Sequence, residues 1–124
     1  MSITIAELVL QNAAVVDANG VTLSLEKYGG HDHALDIVLD YKQHSSDTGT
    51  VYFEGCLSPD FSSSGVYAVP VIKADGTTYA TSYSFTVDEV AYIQVQGYHK
   101  YLRARYDVTG SSSITVTAYV GEEV

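Results

Sequence analysis

Apolar and polar residues alternate along this chain with a period of two, and no stretch of ten residues sustains a helical period. From 34 to 41, Leu35, Ile37, Leu39 and Tyr41 fall on one face and Asp36, Val38 and Asp40 on the other, the pattern of a half-buried strand. From 101 to 108, Leu102, Ala104, Tyr106 and Val108 point one way, and Tyr101, Arg103, Arg105 and Asp107 the other. From 113 to 120, Ile114, Val116, Ala118 and Val120 point inward, and Thr115, Thr117 and Tyr119 outward. Thr109, Gly110, Ser111 and Ser112 between the last two segments are turn formers, so the pair reads as a hairpin. Weaker strands are expected over 3–10, 21–25, 50–57, 68–72, 82–87 and 91–96, separated by turn signals such as Ala18-Asn19-Gly20 and Ala74-Asp75-Gly76. Eight or nine short strands at this spacing predict a single all-β domain over 1–124, an antiparallel sandwich or barrel.

Composition supports a folded core without staples. Of 124 residues, 46% are hydrophobic and 17% charged, which lies outside the disordered range. The single cysteine, Cys56, has no disulfide partner within the chain and reads as a small buried hydrophobe. The start MSITIAELVL has neither a basic leader nor an apolar run of membrane length, so no membrane partner and synthesis in a cytoplasm are expected. A net charge of -9 argues against a sequence-independent grip on phosphates, and nucleic acid is not expected as a partner.

Candidate chemistry is sparse. His31-Asp32-His33 carries metal-ligand residue types, but His44 and His99 have no motif spacing to it and no metal is assigned. The loop acids Asp17, Asp47, Asp60, Asp75 and Asp88-Glu89 lack the spacing of a calcium loop and read as turn residues. In GTVYFEGCLSPDF, at 49–61, Cys56, Ser58 and Asp60 lie close together, but the turn contains no histidine. The chain has no G-x-S-x-G elbow and no phosphate loop, so no catalytic residue, cofactor or enzymatic activity is expected. Eleven tyrosines without a tryptophan place some rings on outward faces, Tyr52, Tyr101 and Tyr119 among them. Lys100, Arg103 and Arg105 are half of the six basic residues. Tyr101, Arg103, Arg105 and Tyr119 are therefore the candidate partner contacts, being residue types that dominate interfaces. The competing reading pairs the arginines with local acids such as Asp107 or Asp88.

The order of segments resembles that of small β-sandwich virion proteins of tailed bacteriophages. The matching stretches are LQNAAVVDANGVTLSLEKYGG, GTVYFEGCLSPDF and YSFTVDEVAYIQVQGYHKYLRARYDVTGSSSITVTAYVG, with Asn12 and Ala13, Asn19 and Gly20, 49–55, 95–105 and 110–117 at the family's places. Cys56 stands where that group has serine, and its tryptophan is absent, with Phe61 or Tyr67 to fill the place. The resemblance implies a jelly-roll-like sandwich without catalytic residues, located in the virion. Its partners would be the major capsid protein or other virion proteins, and a homo-oligomer such as a trimer fits that setting. A capsid decoration (cement) protein is the expectation, with 1–4 and 121–124 as arms. The alternative is a glycan- or receptor-binding module of a tail or fibre.

Overall fold

The computed structural model describes residues 2–24, 35–62, 65–97 and 99–123, with side chains from 7 to 119 within them. It is all-β. Twelve strands follow in order: β1 (Ser2–Ala14), β2 (Ala18–Asn19), β3 (Leu23–Ser24), β4 (Leu35–Lys42), β5 (Gly49–Cys56), β6 (Tyr67–Ala68), β7 (Val71–Lys73), β8 (Tyr79–Ala80), β9 (Ser82–Phe85), β10 (Glu89–Val95), β11 (Tyr101–Val108) and β12 (Ser113–Glu123). They form two antiparallel sheets. Sheet A has the order β1-β12-β4-β10-β7-β8. Sheet B places β11 beside β5, with β2 and β3 along the free side of β11 and β6 and β9 along the free side of β5. The four-column arrangement β1-β12-β4-β10 against β2/β3-β11-β5-β6/β9 is jelly-roll connectivity, extended at one edge by the β7–β8 hairpin.

The alternation assigned the buried faces correctly. Ile37, Leu39 and Tyr41 of β4, Val51 and Phe53 of β5, Leu102, Ala104 and Tyr106 of β11, and Ile114, Val116 and Ala118 of β12 meet in one core. The Tyr41 and Phe85 rings stack at 4.9 Å there. Buried tyrosines need partners for their hydroxyls, and both find main-chain ones: Tyr41 donates to the Asp47 carbonyl at 3.1 Å and Tyr106 to the Ser112 carbonyl at 3.0 Å. Burial holds the Tyr106 hydroxyl well above the usual tyrosine range. Its contribution to stability is therefore complete below a pH of about 10, where an unfolded tyrosine titrates, and is lost as the pH rises beyond it. Tyr106→Phe is expected to cost about 1 to 2 kcal/mol, since a buried carbonyl loses its donor; urea unfolding of the two proteins at neutral pH checks this.

Two expectations are corrected. The segments 101–108 and 113–120 are strands, but they are not a hairpin: β11 lies in sheet B and β12 in sheet A. Residues 109–112 carry the chain across the core, and the buried Ser112 and the Tyr106 bond hold that crossing. Alternation fixes which face of a strand is buried, and two strands facing each other across a sandwich satisfy it as well as two strands side by side. The described residues alone form twelve strands against the eight or nine expected, because short segments switch sheets. The expected strand over 68–72 breaks at Val69-Pro70, where β6 of sheet B gives way to β7 of sheet A. Proline has no ladder donor to offer there, while its carbonyl accepts from Gln96 N at 3.0 Å. Residues 2–4 and 121–123, expected as arms, run alongside each other in the β1–β12 ladder.

Candidate functional site

The outward face of sheet B is built by two alternating strands in register. Arg103 sits opposite Glu54, Arg105 opposite Tyr52 and Tyr101 opposite Cys56. Glu54 is thus directly across from one arginine and diagonal to the other, within reach of both. Its Oε1 accepts from Arg103 Nε at 3.0 Å and lies 3.0 Å from Nη2, and its Oε2 accepts from Arg105 Nε at 3.2 Å. The Arg103 and Glu54 side chains keep only 17% and 16% of their exposure, against 37% for Arg105. Each guanidinium also lies over an aromatic ring: Arg103 over Phe61 at 4.4 Å and Arg105 over Tyr52 at 4.3 Å. Lys100 adds its ammonium 5.8 Å from the Tyr101 ring. The arginines do pair with an acid on a neighbouring strand, as the competing reading had it, but that acid is Glu54 and not Asp107 or Asp88. Asp88 instead accepts from Gln43 N at 2.7 Å.

The loop after β5 completes this face. Phe61 is buried although its backbone adopts the left-handed φ of 51°, which bulky residues avoid. The surrounding bonds hold it there. Phe61 N donates to the Ser58 carbonyl at 3.2 Å, Ser62 N to Asp60 Oδ1 at 3.1 Å, and the Thr22 hydroxyl to the Pro59 carbonyl at 3.3 Å. Ser58 donates its hydroxyl to Asp60, which with the Ser62 amide holds the Asp60 carboxyl below its usual range. Ser58 and Asp60 thus act as a turn lock that seats Phe61 under Arg103. Cys56 is buried as expected and accepts a long contact from Ser58 N at 3.5 Å. Gly55 is in regular register with Leu102, and a Cβ there would stand 2.6 Å from the Tyr67 ring. Tyr67 in turn bonds the buried His99: Nε2 donates to the Gln96 carbonyl at 2.6 Å, and Nδ1 and the Tyr67 hydroxyl share a hydrogen bond at 2.9 Å.

Tyr119 belongs to the other side of the molecule. It lies on β12 in sheet A, opposite Asp36, and lines an open groove of about 560 Å³ with Asp36, Val38, Tyr92, Gln94 and Lys73. The candidate contacts Tyr101, Arg103 and Arg105 therefore share one surface, and Tyr119 does not. Sequence reasoning missed Tyr92, which is 60% exposed and also lines this groove. The alternation of β10 does contain the signal, since Ala91, Ile93 and Val95 are buried and the residues between them face out.

The loop acids have specific structural duties. Asp17 accepts from Val108 N at 2.8 Å, Asp47 from Ser111 N at 2.9 Å, and Asp75 from Thr77 N and Thr78 N at 2.8 Å. Each ties a different loop, and among the described residues no three His, Cys, Asp or Glu side chains converge as a metal site. The His31-Asp32-His33 stretch lies outside the described residues. Bonds from Thr78 and Thr77 hold the Asp75 carboxyl down at about 2, below the ordinary aspartate range. The order they give the β7–β8 turn, one wall of the groove, is complete above the unfolded value and is lost as the pH falls through about 2. Amide shifts of Gly76, Thr77 and Thr78 followed through an acid titration are expected to move with that midpoint, and in Asp75→Ala to lack the transition.

No protein-family model and no curated protein matches the chain. Among solved structures, the fold is similar to the crystal structure of SPBc2 prophage-derived protein YomS, with a TM-score of 0.64 at 14% identity. That likeness covers 98% of this chain and 96% of the other. Across essentially its whole described length, then, the chain shares the fold of a prophage-derived protein.

Proposed function

We propose that this chain is a non-enzymatic structural protein of a bacteriophage particle, and more specifically a capsid decoration protein that binds the head through the outer face of sheet B. The observation that carries the reading is the Arg103–Glu54–Arg105 bridge laid over Phe61 and Tyr52. Arginine and aromatic side chains dominate binding energy at protein interfaces, and here they are ordered before any partner arrives, so little side-chain freedom is lost on docking. Arg105 reaches Glu54 through Nε, and among the described residues its two terminal nitrogens have no hydrogen-bond partner, so they can meet a partner carboxylate or carbonyl. The prophage origin of YomS, whose fold this chain shares, supports the phage setting.

The test uses purified protein and emptied heads of the phage that encodes it. Saturable binding with a raised rupture temperature is expected. Arg105→Gln, at the more exposed end of the bridge, is expected to leave the fold intact and to weaken occupancy by about 1 to 3 kcal/mol. Unchanged occupancy in Arg105→Gln and in Tyr101→Ala would remove this face as the contact. Absence of saturable binding to heads would overturn the decoration reading.

A further inference from the structure

The groove on sheet A has a chemistry of its own, on the face opposite the arginine bridge. Tyr119, Asp36 and Gln94 stand in one row across the adjacent strands β12, β4 and β10. Tyr92 stands in the next row, beside Val38. Neighbouring strands are about 4.8 Å apart, so the row spans roughly 10 Å. Two aromatic rings therefore flank a central amide–carboxylate pair within a space of about 560 Å³, well within the range of small-ligand sites.

The polar pair is oriented but not saturated. Gln94 Nε2 donates to Asp36 Oδ1 at 3.2 Å, and Gln94 Oε1 accepts from Gln96 Nε2 at 3.4 Å, so the amide presents its nitrogen toward Asp36. Asp36 Oδ2 and the second Nε2 hydrogen have no partner among the described residues. An acceptor and a donor side by side match two neighbouring hydroxyls, one donating to the carboxylate and the other accepting from the amide. The exposed Tyr92 ring and the half-buried Tyr119 ring beside them suit the C–H face of a pyranose, which is apolar while its rim is polar. Lys73, whose ammonium lies 4.8 Å from the Tyr83 ring, forms part of the groove wall. Asp36 at the centre and a chain charge of -9 disfavour acidic sugars.

We propose that this groove binds a neutral saccharide, with Asp36 and Gln94 engaging vicinal hydroxyls and Tyr92 and Tyr119 packing on the ring. The site is independent of the head-binding face: it lies on the other sheet and shares no residue with it.

The experiment titrates the isotope-labelled, full-length protein with lactose, cellobiose, mannobiose and di-N-acetylchitobiose and follows backbone amide shifts. At least one disaccharide is expected to give saturable shifts centred on Asp36, Tyr92, Gln94 and Tyr119. Tyr92→Ala is expected to weaken that binding about tenfold, the worth of one aromatic contact. Asp36→Asn, which keeps the side-chain shape, should weaken it severalfold, and Tyr52→Ala on the opposite face should leave it unchanged. No saturable shift with any of the four sugars at tens of millimolar overturns the proposal, as does equal binding by Tyr92→Ala and Asp36→Asn. Loss of head occupancy in Tyr92→Ala without any sugar shift also overturns it, by assigning the groove to a protein partner. Head binding by Arg105→Gln reads the other face separately, so the two readings fail by different results.

Discussion

Glu54→Ala is expected to destabilise the domain by about 3 kcal/mol, more than the removal of either arginine. Glu54 is the single acid between two guanidiniums, bonded to Arg103 at 3.0 Å and Arg105 at 3.2 Å. Without it two like charges stand two positions apart on the same face of β11, and one of them, Arg103, is 17% exposed and cannot fully rehydrate. Arg105 is exposed enough to turn outward, so Arg105→Gln should cost only about 1 kcal/mol. Arg103→Glu should be nearly as costly as Glu54→Ala, because it sets a second carboxylate beside Glu54 and removes the cation from over Phe61. Denaturant unfolding of the three variants gives the order directly. If Glu54→Ala shifts stability by less than Arg105→Gln does, the bridge is a solvated surface pair and the description of an ordered platform is wrong. A double-mutant cycle of Glu54 and Arg103 should show coupling of about 1 to 3 kcal/mol.

The bridge also marks the limit of what the sequence carried. That Arg103, Arg105 and Tyr52 face outward follows from alternation alone, and the structure agrees. The identity of the acid that meets them depends on the register of β5 against β11, and Glu54 is separated from Arg103 by most of the second half of the chain. Periodicity within a strand contains no information on that register. The same limit explains the hairpin that is absent between β11 and β12, and the placing of Tyr119 on the other sheet. Short sheet-switching pieces such as β2 and β8 have two residues each, too few for any period to show. The core faces, the buried Cys56 and the turn role of Asp60 were legible because each rests on local chemistry.

Gly20→Ala is expected to cost about 3 kcal/mol, at the upper end of what overpacking does, and to be the most damaging glycine-to-alanine change among the described residues whose added methyl meets main-chain atoms. Asn19-Gly20 reads from sequence as an ordinary turn signal, for which a backbone of positive φ would be the reason. The structure gives another reason, since Gly20 is not among the residues with positive φ. A Cβ at this position would stand 2.4 Å from the Leu10 carbonyl oxygen and 2.8 Å from that of Ala104. Both are main-chain atoms, one from β1 of sheet A and one from β11 of sheet B, and neither can swing away as a side chain would. The approach is close because Gly20 N donates to Ala104 O at 2.7 Å and Val21 N to Leu10 O at 2.9 Å, which stitches the two sheets at one corner. Gln11 reinforces the same point, donating through Nε2 to the Ala18 carbonyl at 3.1 Å. A methyl group must therefore separate these strands or break the stitch. By contrast, Gly76→Ala meets open space, and its cost should be limited to the backbone strain at φ 77°. Thermal unfolding of the two alanine variants distinguishes the causes: Gly20→Ala should lose several times the stability that Gly76→Ala does, and amide exchange should accelerate at Leu102 and Ala104 only in the former. Equal losses would mean that conformational freedom, and not the meeting of two backbones, is what glycine supplies at position 20.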